Sequence, residues 1–289
     1  MKLPSFEGGV IVIKSNQKAA RKCYKNSLKS IRGVCMVATQ AEATSERRPG
    51  PAGEVQEKEI EGKKFKFGSS LGQEMQDQIA EVIARHMNAF AWSSADMPDM
   101  DPDFLCHRLT MDEKVRPVIQ RRRKLNEERH SVVKEETQKL LKVGHIREIQ
   151  YHEWLVNVVL VKKANRRWRM CVNFTDLNKV FPKDSYLLPS IDSLVDNTSR
   201  CQLLSFLYAF LGYNQICMHP RDKCKTTFMT ELSSYCYRFM LFGLKNADTT
   251  YQWLMDRIIA PMIGRNVQAY VDDMVVTSEE RDQHVANLE

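Results

Sequence analysis

Apolar residues recur at helical spacing in several stretches of this chain, and these stretches predict its helices. The predicted helices cover residues 75–90, 127–143, 190–195 and 246–259. Asn126 is a suitable N-cap for the second helix, and Gly144 can take the left-handed position after its end. In the same way, Ser190 is placed to cap the third helix.

Short runs of β-branched, aromatic and aliphatic residues predict the strands. These runs lie at 156–162, 168–174, 202–207, 226–231, 235–241, 267–271 and 274–278. The first two flank a polar turn with basic residues at its tip, so they predict a hairpin. The last two flank Asp272 and Asp273 and predict another. Because strands and helices mix without a strict βαβ alternation, we predict the α+β class.

The N-terminal part of the chain shows little periodicity. Residues 38–62 are rich in Ala, Glu, Gly and Pro and contain almost no large apolar residue, which is typical of a linker. We therefore predict that residues 1–70 are a basic, mostly flexible leader. Residues 71–106 are predicted as a helical lead-in to the main folded region at 107–289.

The charge of the chain is unevenly distributed. The sequence has 289 residues, a formal net charge of +7, 43% hydrophobic residues and 27% charged residues, which is typical of a globular protein. Residues 1–70 hold 14 Lys and Arg against 7 Asp and Glu, whereas residues 71–289 hold 29 of each sign. A basic chain favours an acidic partner such as nucleic acid. Here, however, that argument rests on the least fold-like segment.

The cysteines and the apolar runs bear on location. The eight cysteines form no C-x-x-C pair and have no histidine at zinc-like spacing, so we interpret them as reduced thiols of an intracellular protein. Secretory signals and membrane-spanning runs of about 20 apolar residues are not seen, so we predict no membrane partner. The sequence leaves the oligomeric state open.

Asp272 and Asp273 are the first candidates for chemistry. Adjacent carboxylates on a hairpin are costly to desolvate unless a cation offsets their charge. Magnesium prefers a few carboxylates plus phosphate oxygens, and a pair of such ions can clamp a phosphoryl displacement. The alternative is a plain surface turn, and the dipeptide alone does not decide between them.

Ordered sequence blocks around the aspartates favour a metal-dependent site through a family resemblance. They are FAWS at 90–93, ADMP at 95–98, RRRK at 121–124, LLK at 140–142, IRE at 146–148, WRMCV at 168–172, DLNK at 176–179, FGLKNA at 242–247, YQ at 251–252 and YVDD at 270–273. In this order and spacing, they resemble the reverse transcriptase domain of gypsy-type LTR retrotransposons. The resemblance implies a right-hand polymerase palm, an antiparallel sheet backed by helices, with fingers at about 107–200.

The resemblance also implies roles for individual residues. The implied metal ligands are Asp272 and Asp273, which would bind Mg²⁺ or Mn²⁺. The implied nucleotide-binding residues are Lys162, Lys163, Arg169, Tyr213 and Phe242, and the implied template or primer contacts are Lys245, Gln252 and Tyr270. The implied partners are an RNA or DNA template–primer and a dNTP. The structural alternatives are a solvated face for the basic residues and an ordinary half-buried aromatic for Tyr213.

Several positions depart from the family pattern. Tyr208 stands where the family has its third metal-binding aspartate, and a phenol, with an unperturbed pKa of about 10, is neutral at pH 7 and a poor magnesium ligand. Asp248 stands where the family has a glycine. The chain ends at Glu289, soon after the YVDD turn, so we expect an incomplete palm without a thumb, from a degenerate and truncated polyprotein.

These observations leave three interpretations. The first is a reverse transcriptase fragment that Tyr208 has inactivated. The second is a non-catalytic nucleic-acid-binding remnant, and the third is a functionless pseudogene product. The sequence does not separate the last two.

Overall fold

The computed structural model describes residues 2–4, 10–12, 35–36, 55–93, 96–97, 100–112, 114–162, 166–209 and 211–289. Its helices are α1 (Gln73–Arg85), α2 (Glu127–Lys142), α3 (Thr175–Val180), α4 (Ile191–Thr198), α5 (Ala247–Ile258) and α6 (His284–Leu288). Its strands are β1 (Lys2–Pro4), β2 (Val10–Val12), β3 (Cys35–Met36), β4 (Val55–Ile60), β5 (Lys63–Gly68), β6 (Cys106–His107), β7 (Ile146–Glu148), β8 (Val156–Lys162), β9 (Trp168–Val172), β10 (Leu203–Tyr208), β11 (Cys217–Met218), β12 (Phe228–Met229), β13 (Ser234–Tyr237), β14 (Val267–Tyr270) and β15 (Asp273–Ser278).

A three-stranded antiparallel sheet carries the aspartate pair. Its order is β10-β15-β14, and β14 and β15 form the hairpin predicted around Asp272. Helix α6 is fixed to this sheet by His284, whose ring nitrogens each lie 2.8 Å from a serine hydroxyl, Ser205 on β10 and Ser278 on β15. The side chain of His284 is 1% exposed, and burial lowers its pKa.

A second, mixed sheet has the order β3-β9-β8-β12-β13-β7. Strands β8 and β9 form the predicted antiparallel hairpin, whereas β8 and β12 are parallel. Helix α2 contributes Val133 and Leu140 to a core that continues through both sheets. Asn126 caps α2 as predicted, since its Oδ1 accepts from Arg129 N at 3.1 Å.

Two of the predicted strands, 226–231 and 235–241, are much shorter in the structure. Within 226–231, only β12 is strand, because Thr230 N turns back to donate to Ser233 O at 2.9 Å. Within 235–241, the ladder ends at Tyr237. The next donors leave the sheet, with Arg238 N bonding to His145 O at 2.9 Å and Met240 N to Ile216 O at 2.7 Å.

The hairpin β4–β5 lies inside residues 1–70, the segment predicted as a basic, mostly flexible leader, where no strand was predicted. Its turn is Glu61-Gly62, both with positive φ (48° and 76°), which is the geometry of a tight two-residue hairpin loop. Ile60 and Phe67 are buried against Ile79 of α1. Apolar and charged residues alternate along these strands with a period of two, which is typical of a strand with one buried face. The average composition of the segment is nevertheless polar, so it resembled a linker.

Within the described residues, no helix combines the length and apolar character needed to cross a bilayer. The domain boundaries at 70 and 106 stay predictions.

Candidate active site

The turn between β14 and β15 presents both aspartates. Tyr270 pairs with Asp273, so Val271 and Asp272 form a two-residue loop. Val271 has φ 55°, a left-handed conformation that is strongly unfavourable for a β-branched residue. Such strain persists only where surrounding bonds impose it, at a cost of about 1–3 kcal/mol. Asp272 is half-buried and Asp273 is exposed.

Gln252 of α5 imposes this turn. Its Oε1 accepts from Val271 N at 2.6 Å, and its Nε2 donates to Ala269 O at 3.4 Å and to Asp256 Oδ1 at 2.7 Å. Asp256 also accepts from the Tyr186 hydroxyl. Burial, with the bond to Asp256, raises the pKa of Tyr186 to about 12. The turn is therefore held by a continuous hydrogen-bonded chain.

The same arrangement bears on the role that the resemblance implied for Gln252. That role is a template contact, whereas in this structure the side chain is 0% exposed. Both polar atoms of its amide bond to protein and hold the Asp272 turn, and a template contact stays a prediction. The sequence offers no local signal of this bonding, since Val271 lies on another element.

Tyr208, at the end of β10, lies beside the aspartate turn on the neighbouring strand. It pairs with Asp273 across β10 and β15, and Tyr270 pairs with Asp273 from the other side. The backbone of Ala209 donates to Asp272 O at 2.9 Å and joins the end of β10 to the turn. A phenol therefore occupies the facing-strand position where the resemblance expects a carboxylate.

Asp222 is the next acidic residue after Tyr208, and it does not reach this position. It is buried, with 5% exposure, and is used elsewhere in the fold. Its Oδ2 accepts from Leu109 N at 3.0 Å and its Oδ1 accepts from Lys225 Nζ at 2.7 Å. We infer that Asp222 holds the backbone at Leu109, a core residue, and does not substitute for the missing aspartate.

Tyr213 is buried beside the aspartates. Its side chain is 1% exposed, its ring stacks on Tyr251 with a centroid distance of 5.0 Å, and its centroid lies 3.9 Å from that of Phe242. The hydroxyl donates to Asp248 Oδ1 at 2.8 Å. Burial, with the carboxylates of Asp248 and Asp272, raises the pKa of Tyr213 far above its ordinary value.

The bond between Tyr213 and Asp248 exists only because this chain has an aspartate where the family pattern has a glycine, which carries no side chain. It fixes the hydroxyl of Tyr213 within the fold. Gly212 is required next to it, because a Cβ there would lie 2.1 Å from the Tyr251 hydroxyl. A contact of Tyr213 or Phe242 with an incoming sugar stays a prediction.

The FGLKNA block, residues 242–247, bonds to Asn178 of α3 and to Phe181, which follows this helix. Asn178 Nδ2 donates to Gly243 O at 2.7 Å, and Asn178 Oδ1 accepts from Lys245 N at 3.0 Å. The ammonium of Lys245 donates to Phe181 O and lies 5.0 Å from the centroid of the Phe181 ring. In this structure the Lys245 charge is engaged within the protein, and its template contact stays a prediction.

The predicted basic hairpin forms an aromatic and cationic surface in the other sheet. Lys162 pairs with Trp168, and its Nζ lies 5.4 Å from the Trp168 ring centroid. The guanidinium of Arg129 lies 5.2 Å from the same ring. Trp168 Nε1 donates to Glu128 Oε1 at 2.8 Å. We call Arg129, Lys162 and Trp168 the tryptophan platform. Arg129 was not among the predicted site residues; it lies in the first turn of α2, where its backbone N–H bonds to the N-cap Asn126.

The remaining nucleotide-site predictions at the hairpin are Arg169 and Lys163. Arg169 is half-buried on β9 and pairs with Val161. Lys163 lies outside the described residues. The basic hairpin and the aspartate turn therefore belong to different sheets, and their meeting around a nucleotide stays a prediction.

Residues 121–124 form a second basic surface, which we call the basic ridge. All its side chains are exposed. Its backbone is fixed by the buried Asn157, whose Oδ1 accepts from Arg123 N at 3.0 Å and whose Nδ2 donates to Arg121 O at 2.9 Å. Gln120 Oε1 accepts from Asn157 N at 2.9 Å. The ridge is thus held rigidly beside β8.

The donor set of the turn is short of what a two-metal site needs. Asp272 and Asp273 supply carboxylates, whereas Tyr208 supplies a phenol. Over the residues that the structure describes, no group of three or more His, Cys, Asp or Glu side chains is placed to hold a metal ion. The residues present therefore fit a magnesium pair poorly.

The two sheets with their helices define a right-hand polymerase palm with fingers, and solved structures share this fold. The native prototype foamy virus protease–reverse transcriptase matches with a TM-score of 0.63 at 20% identity, over 76% of this chain and 29% of that one. The foamy viral protein in complex with an RNA/DNA hybrid matches with a TM-score of 0.60 at 18% identity, over 76% and 29%. The predicted α+β polymerase fold is confirmed.

Sequence comparisons give the family. Residues 161–289 match the family model for reverse transcriptase (RNA-dependent DNA polymerase). An RNA-directed DNA polymerase homolog from Oenothera berteroana is 33% identical over 123 residues, which are 42% of this chain and 87% of that protein. The chain belongs to the reverse transcriptase family.

Retrotransposon proteins are among the relatives, which confirms the resemblance to gypsy-type elements. The Pol polyprotein of transposon gypsy from Drosophila melanogaster is 30% identical over 162 residues, and that of transposon opus is 33% identical over 135. These matches cover 54% and 47% of this chain. The chain spans only 16% and 14% of the length of those polyproteins.

Proposed function

We propose that this chain is a reverse transcriptase palm and fingers in which Tyr208 has disabled nucleotidyl transfer. In the family reaction, a primer 3′-hydroxyl attacks a dNTP, a phosphodiester bond forms and pyrophosphate leaves. The observation that supports disablement is the pairing of Tyr208 with Asp273. Tyr208 is the strand partner of Asp273, one of the two proposed carboxylate ligands for Mg²⁺ or Mn²⁺, and a phenol is a poor ligand for these ions.

The expected loss is large. Charge stabilisation by metal ions is the main contribution to phosphoryl-transfer catalysis, and removing one ligand forfeits several kcal/mol of it. Since about 1.4 kcal/mol is a factor of ten in rate, we expect activity to fall by about a thousandfold. We propose that residues 107–289 form the domain that carries this site and that residues 71–106 lead into it. We also propose that the protein is intracellular.

Primer extension tests this proposal. Three proteins are compared on an RNA template with a DNA primer, in Mg²⁺ and in Mn²⁺: the chain as it stands, Tyr208→Asp, and Tyr208→Phe as the matched control. We expect extension only from Tyr208→Asp. Robust extension by the unmodified chain would overturn the proposal, since it would show that the phenol is tolerated.

We also propose that the chain binds RNA or DNA without catalysis, through the tryptophan platform and the basic ridge. Two observations favour this: the cations lie beside an aromatic ring that can stack on a base, and the ridge backbone is fixed with its side chains exposed. Phosphate contacts release counterions, so the affinity should fall steeply with salt.

A binding titration separates this proposal from a functionless product. We expect the Arg122→Gln and Arg123→Gln double variant to weaken binding to single-stranded RNA and to flatten its salt dependence. The matched control is Arg281→Gln with Arg265→Gln, which removes the same charge from exposed positions elsewhere. Absence of salt-sensitive binding, or equal loss in both double variants, would contradict the proposal.

A further inference from the structure

Two cysteine thiols away from the aspartate turn share one guanidinium. Arg147 Nε lies 3.4 Å from Cys236 Sγ, and Arg147 Nη2 lies 3.6 Å from Cys224 Sγ. Because Nε and Nη2 donate from the same edge of a planar group, the two sulfurs lie side by side along that edge. Neither thiol belongs to the site described above.

The backbone also brings these cysteines together. Cys236 pairs with Arg147 across β13 and β7. Cys224 lies in the 3-10 turn Lys223–Thr226, and Thr226 Oγ1 accepts from the backbone of Tyr237 at 3.0 Å. That bond fixes the turn against the strand at the residue next to Cys236. A disulfide needs this kind of close and defined approach of two backbone segments.

The surroundings give the two thiols different access to solvent. Cys236 is 0% exposed, Cys224 is half-buried and Arg147 is exposed. Burial raises the pKa of Cys236, and the Arg147 guanidinium opposes that rise. A guanidinium stabilises thiolate, the form that reacts with oxidants. An oxidant arriving from solvent therefore meets Cys224 first, with Cys236 behind it.

We propose that Cys224 and Cys236 are a redox-sensitive thiol pair that a hydroperoxide converts into a disulfide. The Cys224 thiolate attacks one peroxide oxygen, the O–O bond breaks, and sulfenic acid forms as hydroxide leaves. Cys236 then attacks the sulfenic sulfur, the S–S bond forms, and water leaves with the thiol proton. Two thiols lose two electrons, and one hydrogen peroxide becomes two waters.

Peptide mapping tests this proposal on the full chain. The reduced protein is treated with hydrogen peroxide, its remaining thiols are alkylated, and an endoproteinase that cleaves after Asp and Glu is applied without reductant. The cysteines then fall on peptides 223–231 and 232–248. We expect these peptides to appear joined, two mass units below their sum, while Cys171 and Cys201 are still alkylated.

Variants distinguish specific formation of the Cys224–Cys236 disulfide from non-specific oxidation. Cys236→Ser should leave a Cys224 sulfenic acid that a 1,3-dione traps, and Cys201→Ser is the matched control that should still form the 224–236 link. Arg147→Gln should slow the loss of the Cys224 thiol several-fold, because the guanidinium that lies 3.6 Å from the Cys224 sulfur is then absent. Earlier oxidation of Cys201, a link to another cysteine, or unchanged kinetics in Arg147→Gln would overturn the proposal.

Discussion

The bond from Val271 N to Gln252 can be removed with little change in side-chain volume. In Gln252→Leu, the buried Val271 N–H, now 2.6 Å from Gln252 Oε1, loses its acceptor. An unsatisfied buried donor costs about 1–3 kcal/mol. Leucine is similar in size to glutamine, so a cavity adds little. We therefore expect the free energy of unfolding to fall by about 2 kcal/mol.

Urea denaturation measures this change. With a slope of about 2 kcal/mol per molar urea, the midpoint should fall by about 1 M. The matched control is Gln283→Leu, because Gln283 is exposed and bonds to Glu280 at 2.8 Å; its midpoint should move little. Equal midpoints in the two variants would refute the conclusion that Gln252 imposes the strained turn.

Further predictions concern pH and two polar contacts. Burial lowers the pKa of His107 to about 4, below its unfolded value of about 6.5. The unfolded chain therefore binds a proton more readily than the folded one, so stability should be full above pH 6.5 and fall from there towards pH 4. Thermal unfolding measured across this pH range checks the expectation. A double-mutant cycle of Tyr213→Phe and Asp248→Ala should give a coupling energy of about 1–2 kcal/mol in urea unfolding, and a value near zero would contradict the Asp248 bond. Asn157→Ala should cost about 2 kcal/mol and also weaken RNA binding, because residues 121–124 lose their backbone bonds; unchanged RNA affinity would show that the ridge needs no fixed backbone.

Local patterns predicted the elements around the candidate site well. The predicted strand at 156–162 coincides with β8, and the runs on both sides of Asp272 became β14 and β15. These strands are rich in β-branched residues, so local propensity agrees with the tertiary fold. The pairing of Tyr208 with Asp273 needs the β14–β15 hairpin and one further strand pairing, that of β10 with β15.

Other features depend on contacts that no local pattern contains. The parallel pairing of β8 with β12 joins residues far apart in sequence. The resemblance implied that Gln252 lies along the template, whereas the tertiary fold buries it beneath the turn. The hairpin β4–β5 was missed because charged residues dominate its exposed face, where Glu57 and Lys66 are direct cross-strand partners.

The primer-extension rate of Tyr208→Asp relative to the unmodified chain tests the central claim most directly. Both proteins are purified in the same way and assayed at the same protein, template–primer and Mn²⁺ concentrations. We predict a rate at least about a hundred times higher for Tyr208→Asp, because the restored carboxylate completes the metal-binding set opposite Asp273. Equal, measurable rates in the two proteins would contradict the claim that Tyr208 is what disables this site.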